Sequence, residues 1–375
     1  MIIFLRILAI LLGLWIVGYT FIAATKTFVL PRSAQVALTR FVFMTSRAIF
    51  NFIVNKLPTF EQKDQLMAIF APLTLLLMVP TWLFLTTIGY TFIYLGMGFD
   101  SIGEAFLFSG SSILTLGFAT ADNLAQTIVA FTEATVGLIL VAMLISYLPT
   151  MYSAWSRRES MVNLLEVRAG WPPSAVELVW RLHGFQGSIN VNDFWNEWER
   201  WFVDIDESHT SLAALVLFRS TRVTQSWLHC AGVILDGAAL YLSVLKNPES
   251  RFLPIVIRAG VMALRHMAEF FRISFKPNPH FPEDPISITR EQFDAGWEIL
   301  KAHGLELVDD QDIAWQNFAG WRVNYDSTLV SLSRLTMSPE FNWLPEVTFV
   351  PASRAQNDTG GSLMPVSQLL ERTKN

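Results

Sequence analysis

The stretch Ser111-Ser112-Ile113-Leu114-Thr115-Leu116-Gly117-Phe118-Ala119-Thr120 decides how this chain is read. It sits between two long apolar segments, residues 69–97 and 124–151, at the end of a short run with helical patterning. Irregular backbone between membrane-length segments survives in a bilayer only where it is buried in protein or lines a water-filled path. Thr115 offers a carbonyl and a hydroxyl oxygen. Gly117 can take a positive φ and turn its carbonyl without a side-chain penalty.

Upstream, Asp100-Ser101-Ile102-Gly103-Glu104 opens the region. Ser101 and Glu104 have capping-box spacing ahead of the apolar run Ala105-Phe106-Leu107-Phe108. The helix this predicts, about ten residues ending at Ser112, is too short to cross a bilayer. A short helix that enters the membrane and returns as an extended loop fits the spacing. Its carbonyl end would favour a cation in the membrane interior. Asp122, just beyond, either concentrates cations at the mouth or caps the next helix.

Residues 2–24 are apolar except for Arg6. They read as a first span; a cleaved signal peptide, with Ala23 and Ala24 near a cut, is the alternative. The long apolar stretch and the position of Arg6 inside it favour the span. The segments at 69–97 and 124–151 supply two more, and spanning helices tolerate Pro72 and Pro80. In residues 34–57, Arg40, Arg47 and Lys56 interrupt an apolar run. Burying two arginines in the membrane costs about 2.5–3.5 kcal/mol each, so a helix at the cytoplasmic interface is the expectation. Thr59 and Gln62 then mark a new helix start.

Residues 98–123 hold no Lys or Arg, whereas residues 25–65 hold Lys26, Arg32, Arg40, Arg47, Lys56 and Lys63. Arg157 and Arg158 follow the third apolar segment. The positive-inside rule therefore places residues 25–65 and the C-terminal half in the cytoplasm, and residues 98–123 outside.

The order span, short helix, Thr-x-Gly-Phe loop, span resembles the potassium-channel superfamily over residues 66–156. Thr115, Leu116, Gly117, Phe118, Ala119 and Thr120 stand where its filter usually reads Thr-Val-Gly-Tyr-Gly-Asp. The resemblance implies a selectivity filter of stacked oxygens replacing the hydration shell of a cation, with Phe118 anchored against the pore helix. It also implies that Glu133 braces the filter through Ser111, Ser112 or loop backbone; the alternative is a carboxylate reaching interfacial water. Gly137 stands where a hinge glycine is common, and helix packing is its other reading. Ala119 departs from the pattern: a positive φ there costs roughly 1–2 kcal/mol, so the outer filter is expected to differ in shape. Since one copy cannot enclose a pore, the resemblance implies a homotetramer, conducting potassium, sodium or both.

The chain is 52% hydrophobic and only 16% charged. Its first 155 residues carry seven Lys/Arg and six Asp/Glu; the rest carry twenty and twenty-six. This suits a membrane half followed by a mildly acidic soluble half. No basic stripe points to nucleic acid, and the lone Cys230 excludes an intramolecular disulfide and a cysteine-rich metal site. Residues 212–245 and 254–275 are apolar but punctuated by charge, and read as core helices, with a membrane hairpin as the alternative for the first. Asp204, Asp206, Glu207 and His209 read as a solvated loop rather than a metal site. His229 and Cys230 read as packing. Trp195, Trp198 and Trp201 recur at helical spacing and read as one buried face. No glycine-rich nucleotide fingerprint or phosphate loop is present.

These readings define an all-α membrane protein. It has a first transmembrane helix (1–30), an interfacial helix and linker (31–65), a pore module (66–155), a helical cytoplasmic domain (156–350) and a disordered tail (351–375). The expected function is a tetrameric cation channel whose cytoplasmic domain gates the pore, with no cofactor or bound metal. The alternatives are a membrane-anchored scaffold or sensor with a plain re-entrant loop, and an anchored enzyme, for which no catalytic constellation is present.

Overall fold

The computed structural model describes residues 2–29, 36–184, 190–222, 225–248, 251–338, 343–344, 347–350 and 362–365. They fold as helices, apart from one small antiparallel pair, Val347–Val350 with Ser362–Pro365. The rest of the tail expected to be disordered lies outside the described residues. The chain divides into two compact units, Met1–Ser153 and Ala154–Asn375.

The first unit contains α1 (Ile2–Phe28), α2 (Ala37–Val54), α3 (Phe60–Met97), α4 (Ile102–Ile113) and the first part of α5 (Leu124–Ala169). Thr59 caps α3 by accepting from the Gln62 N–H, and left-handed Gly98 ends it. At 38 residues, α3 is about 57 Å long, far beyond the roughly 30 Å of a bilayer core. α1 runs antiparallel along its second half. A methyl at Gly96 would sit 2.6 Å from the Arg6 carbonyl, and one at Gly89 would sit 3.1 Å from the Gly13 carbonyl. Such glycine contacts let backbones approach where lipid provides no hydrophobic drive. The Arg6 guanidinium lies beside Gly98, at the carbonyl end of α3, where the helix dipole favours a cation.

α2 packs on the first half of α3 through Val42, Ser46, Phe50 and Val54, with Phe43 and Phe50 against Phe70. Its other side exposes Phe41, Met44, Ile49, Phe52 and Ile53. Thr27 and Thr39 share a 2.7 Å hydrogen bond that ties the end of α1 to the start of α2.

The second unit contains the end of α5, α6 (Ala175–Gly184), α7 (Val191–Ser211), a 3-10 turn (Ala213–Leu217), α8 (Trp227–Val244), α9 (Leu253–Phe270), α10 (Arg290–Ala302), α11 (Gln311–Arg322) and α12 (Asp326–Thr336). Trp195, Trp198 and Trp201 are buried in its core. α10 begins with a complete capping box between Thr289 and Gln292.

Among the described residues, five helices are long and apolar enough to cross a membrane: α1, α2, α3, α5 and α8. This apolar content marks a membrane protein. α8 differs from the others, because every residue in it except Leu242 is buried inside the second unit. Asp236 and His229 find partners there: Asp236 pairs with Arg322 and accepts from the Tyr325 hydroxyl at 2.8 Å, and His229 Nε2 lies 2.9 Å from the Pro173 carbonyl.

Candidate functional site

α4 starts at Ser101, whose hydroxyl accepts from the Glu104 N–H at 3.2 Å. It runs twelve residues to Ile113. Its buried face carries Ala105, Phe108, Ser109, Ser111 and Ile113. Phe108 packs against Tyr94 and Phe99.

The helix ends in a Schellman arrangement. The Thr115 N–H donates to the Ser112 carbonyl at 3.1 Å, and the Leu116 N–H donates to the Ser111 carbonyl at 2.8 Å. The left-handed residue this turn requires is Thr115, at φ 53°. Glycine is the usual occupant, and a β-branched residue there is a genuine outlier. Gly117 follows, also left-handed, at φ 70°. Its N–H donates to the same Ser111 carbonyl at 3.4 Å, and the Ala119 N–H donates to the Ser111 hydroxyl at 3.1 Å.

Three loop N–H groups thus converge on Ser111. These peptide bonds are trans, the cis bonds among the described residues being Trp171-Pro172 and Phe281-Pro282. In a planar trans peptide the preceding carbonyl points opposite to the N–H. The carbonyls of Thr115, Leu116 and Phe118 are therefore turned away from Ser111. Residues 114–118 are exposed, with Leu116 at 60% and Phe118 at 63%.

Phe118 therefore does not anchor the loop on the short helix, as the resemblance implied. Ala119 has that place, partly buried against the cluster of Tyr90, Tyr94 and Phe108. Ala119 does not take a positive φ. The strain anticipated there lies four residues earlier, at Thr115, because the helix must turn back at that point. Thr120 is exposed.

Glu133 lies on α5 and is fully buried (0%), which removes the reading in which it reaches water. Its carboxylate does not reach Ser111 or Ser112. It accepts from the Tyr94 hydroxyl at 2.8 Å and from the Ser109 hydroxyl, which also lies 3.1 Å from the Thr87 carbonyl. Ser112 turns back on its own helix, donating to the Phe108 carbonyl at 3.0 Å. One turn along α5, a methyl added at Gly137 would lie 2.6 Å from the Ile113 carbonyl. Gly137 thus seats the end of α4 directly on α5.

Asp122 is exposed, and its N–H donates to Gln126 Oε1 at 2.9 Å. The capping role falls to Asn123, whose side chain accepts from the Gln126 N–H at 3.0 Å.

Sequence reasoning missed Ser109 and Tyr94 as partners of Glu133. The available signal was weak: a serine on the apolar face of α4, and Tyr90 and Tyr94 one turn apart. In the second unit the acidic cluster disperses. Asp204 pairs with Arg157 at 3.5 Å, Asp206 with His266 at 2.9 Å, and Glu207 accepts from Ser211 at 3.1 Å. His209 is buried against Arg158. No protein-family model, curated protein or solved structure matches this chain.

Proposed function

We propose that residues 66–155 form the pore module of a homotetrameric cation channel, with residues 111–120 as its filter loop and the second unit in the cytoplasm. One observation carries the reading: three loop N–H groups are tied to Ser111, so the three preceding carbonyls are turned away from it. Carbonyl oxygens on a shared axis can replace the water shell of a monovalent cation. The exposed apolar side chains Leu114, Leu116 and Phe118 support burial of this loop in an assembly or a membrane. In this reading α1, α3 and α5 cross the membrane, α4 is re-entrant, and potassium and sodium are the candidate ions. The different path of the outer loop at Ala119 leaves selectivity for potassium over sodium as the property to measure.

Purified protein in lipid vesicles, assayed for potassium and sodium flux alongside its oligomeric state, tests the reading. A tetramer with cation flux that falls on Thr115 substitution is the expected result. A monomer without flux under any gating condition would defeat it.

A second reading also has an observation in its favour. The Schellman cap by itself accounts for the Thr115 and Leu116 N–H bonds, as in a membrane-anchored scaffold or sensor with a plain re-entrant loop. Cross-linking between cysteines placed at position 117 of neighbouring chains separates the two, since only a shared axis brings them together.

A further inference from the structure

Helix α5 continues past Ser153 into the second unit, to Ala169. There one segment holds it at four successive points. The Trp155 indole N–H donates to the Arg219 carbonyl at 3.0 Å. Arg158, buried, donates to the carbonyls of Leu215 and Phe218 at 3.0 and 2.8 Å. Gln225 donates to Asn163 Oδ1 at 3.1 Å, and Arg222 pairs with Glu166 at 2.9 Å. Positions 155, 158, 163 and 166 lie on one side of the helix, within an arc of roughly 140° at 3.6 residues per turn. The same segment is fixed on its far side. Arg219 donates to the Thr336 and Met337 carbonyls at 3.0 and 2.8 Å, at the end of α12, and Ser226 and Ser338 share a 3.0 Å hydrogen bond.

The chemistry of the grip is graded. Its inner part is dry: Arg158 caps the carbonyl end of the 3-10 turn, a favourable place for a cation, and also faces Glu159, His209 Nε2 and the Trp227 ring. Its outer part, Arg222 with Glu166 and Gln225 with Asn163, is reached by solvent at Arg222 and Asn163. Glu166 and Gln225 themselves are largely buried, so each outer contact joins an enclosed group to one that water can compete for, and solvent screening at the exposed end weakens it relative to the dry inner part. We propose that residues 215–222, with Gln225 and Ser226, are a clamp that couples the second unit to α5, and that release of its outer half regulates the pore. This rests on the channel reading.

The test uses the full chain in lipid nanodiscs and in vesicles. The variant R222Q/N163A removes the outer contacts by changing only the two exposed side chains, and the thermal midpoint of the second unit checks that the fold is kept. Amide exchange over residues 155–166 should accelerate about tenfold or more, as expected for local opening, while the thermal midpoint of the second unit barely moves. Cation flux should change several-fold, and the charge swap E166R/R222E should bring both readouts back towards wild type relative to R222E alone. Unchanged exchange would overturn the clamp. Faster exchange with unchanged flux would overturn its regulatory role. A wild-type protein that conducts nothing would sink the channel reading and the regulatory role with it, while the exchange measurement still decides the clamp.

Discussion

Tyr94 and Glu133, thirty-nine residues apart in sequence, meet in a buried 2.8 Å hydrogen bond that joins α3 to α5. Ser109 on α4 donates to the other carboxylate oxygen. One side chain therefore ties together the three helices that hold the loop. Glu133→Ala would leave the buried Tyr94 hydroxyl without its acceptor, at about 1–3 kcal/mol, while Ser109 keeps the Thr87 carbonyl. The expected outcome is a large loss of thermal stability in E133A and a smaller one in E133Q, which keeps an acceptor oxygen. Equal losses in the two variants would count against the hydrogen-bonding role.

Thr115 carries the strained left-handed residue of the α4 cap. Thr115→Gly should leave stability unchanged or raise it by up to about 1 kcal/mol, because glycine takes this φ freely. The same variant removes a hydroxyl from the proposed ion path, so flux or selectivity should fall. Stability and conduction moving in opposite directions, read by thermal unfolding and vesicle flux, is the signature. A clear loss of stability would show that the threonine is not strained.

Ser111→Ala deletes the hydroxyl that holds the Ala119 N–H but keeps the carbonyl that holds Leu116 and Gly117. We expect the Ala119 amide to exchange faster while the Leu116 amide keeps its protection. In the channel reading the potassium-to-sodium ratio changes and conduction persists. Ser111→Thr, which retains a hydroxyl, should behave as wild type. Uniform loss of protection across the loop would mean that the two halves are not held separately.

Gly137 faces the Ile113 carbonyl with no room for a methyl. Gly137→Ala should cost about 1–3 kcal/mol by forcing α4 off α5. A hinge role alone predicts an altered gating response with near-normal stability, so thermal unfolding distinguishes packing from bending.

Burial, and then the neighbouring Arg158 guanidinium, hold His209 well below the ordinary histidine range. Its Nδ1 lies 3.1 Å from the Ile205 carbonyl, and Nε2 faces Arg158. The folded form thus keeps a neutral ring, while the unfolded chain takes up a proton below about pH 6.5. The His209 contribution should be flat above that pH and fall as pH drops through it, by about 1.4 kcal/mol per unit. Burial lowers His229 as well, and with the same sign. H209Q should therefore reduce the slope between pH 7.5 and 5.5 without abolishing it. An unchanged slope would remove His209 as a contributor.

The sequence by itself determined the apolar helices, their capped starts at Thr59 and Ser101, and the buried tryptophan face. These are local properties: side-chain spacing and short-range hydrogen bonding decide them within a few residues. It also singled out the short helix and the loop after it. What it did not contain was the direction of each contact. Glu133 was visible as an ionisable residue in an apolar helix, but its partners come from two other helices, and only packing selects Tyr94 and Ser109 over Ser111 and Ser112. The strain expected at Ala119 sits at Thr115, because the position of the left-handed residue depends on where α4 stops. Helix α8 is as apolar as a membrane-crossing segment, and only its enclosure by the second unit tells the two environments apart. Hydropathy measures how much a segment gains by leaving water, whereas the tertiary structure decides which surface receives it.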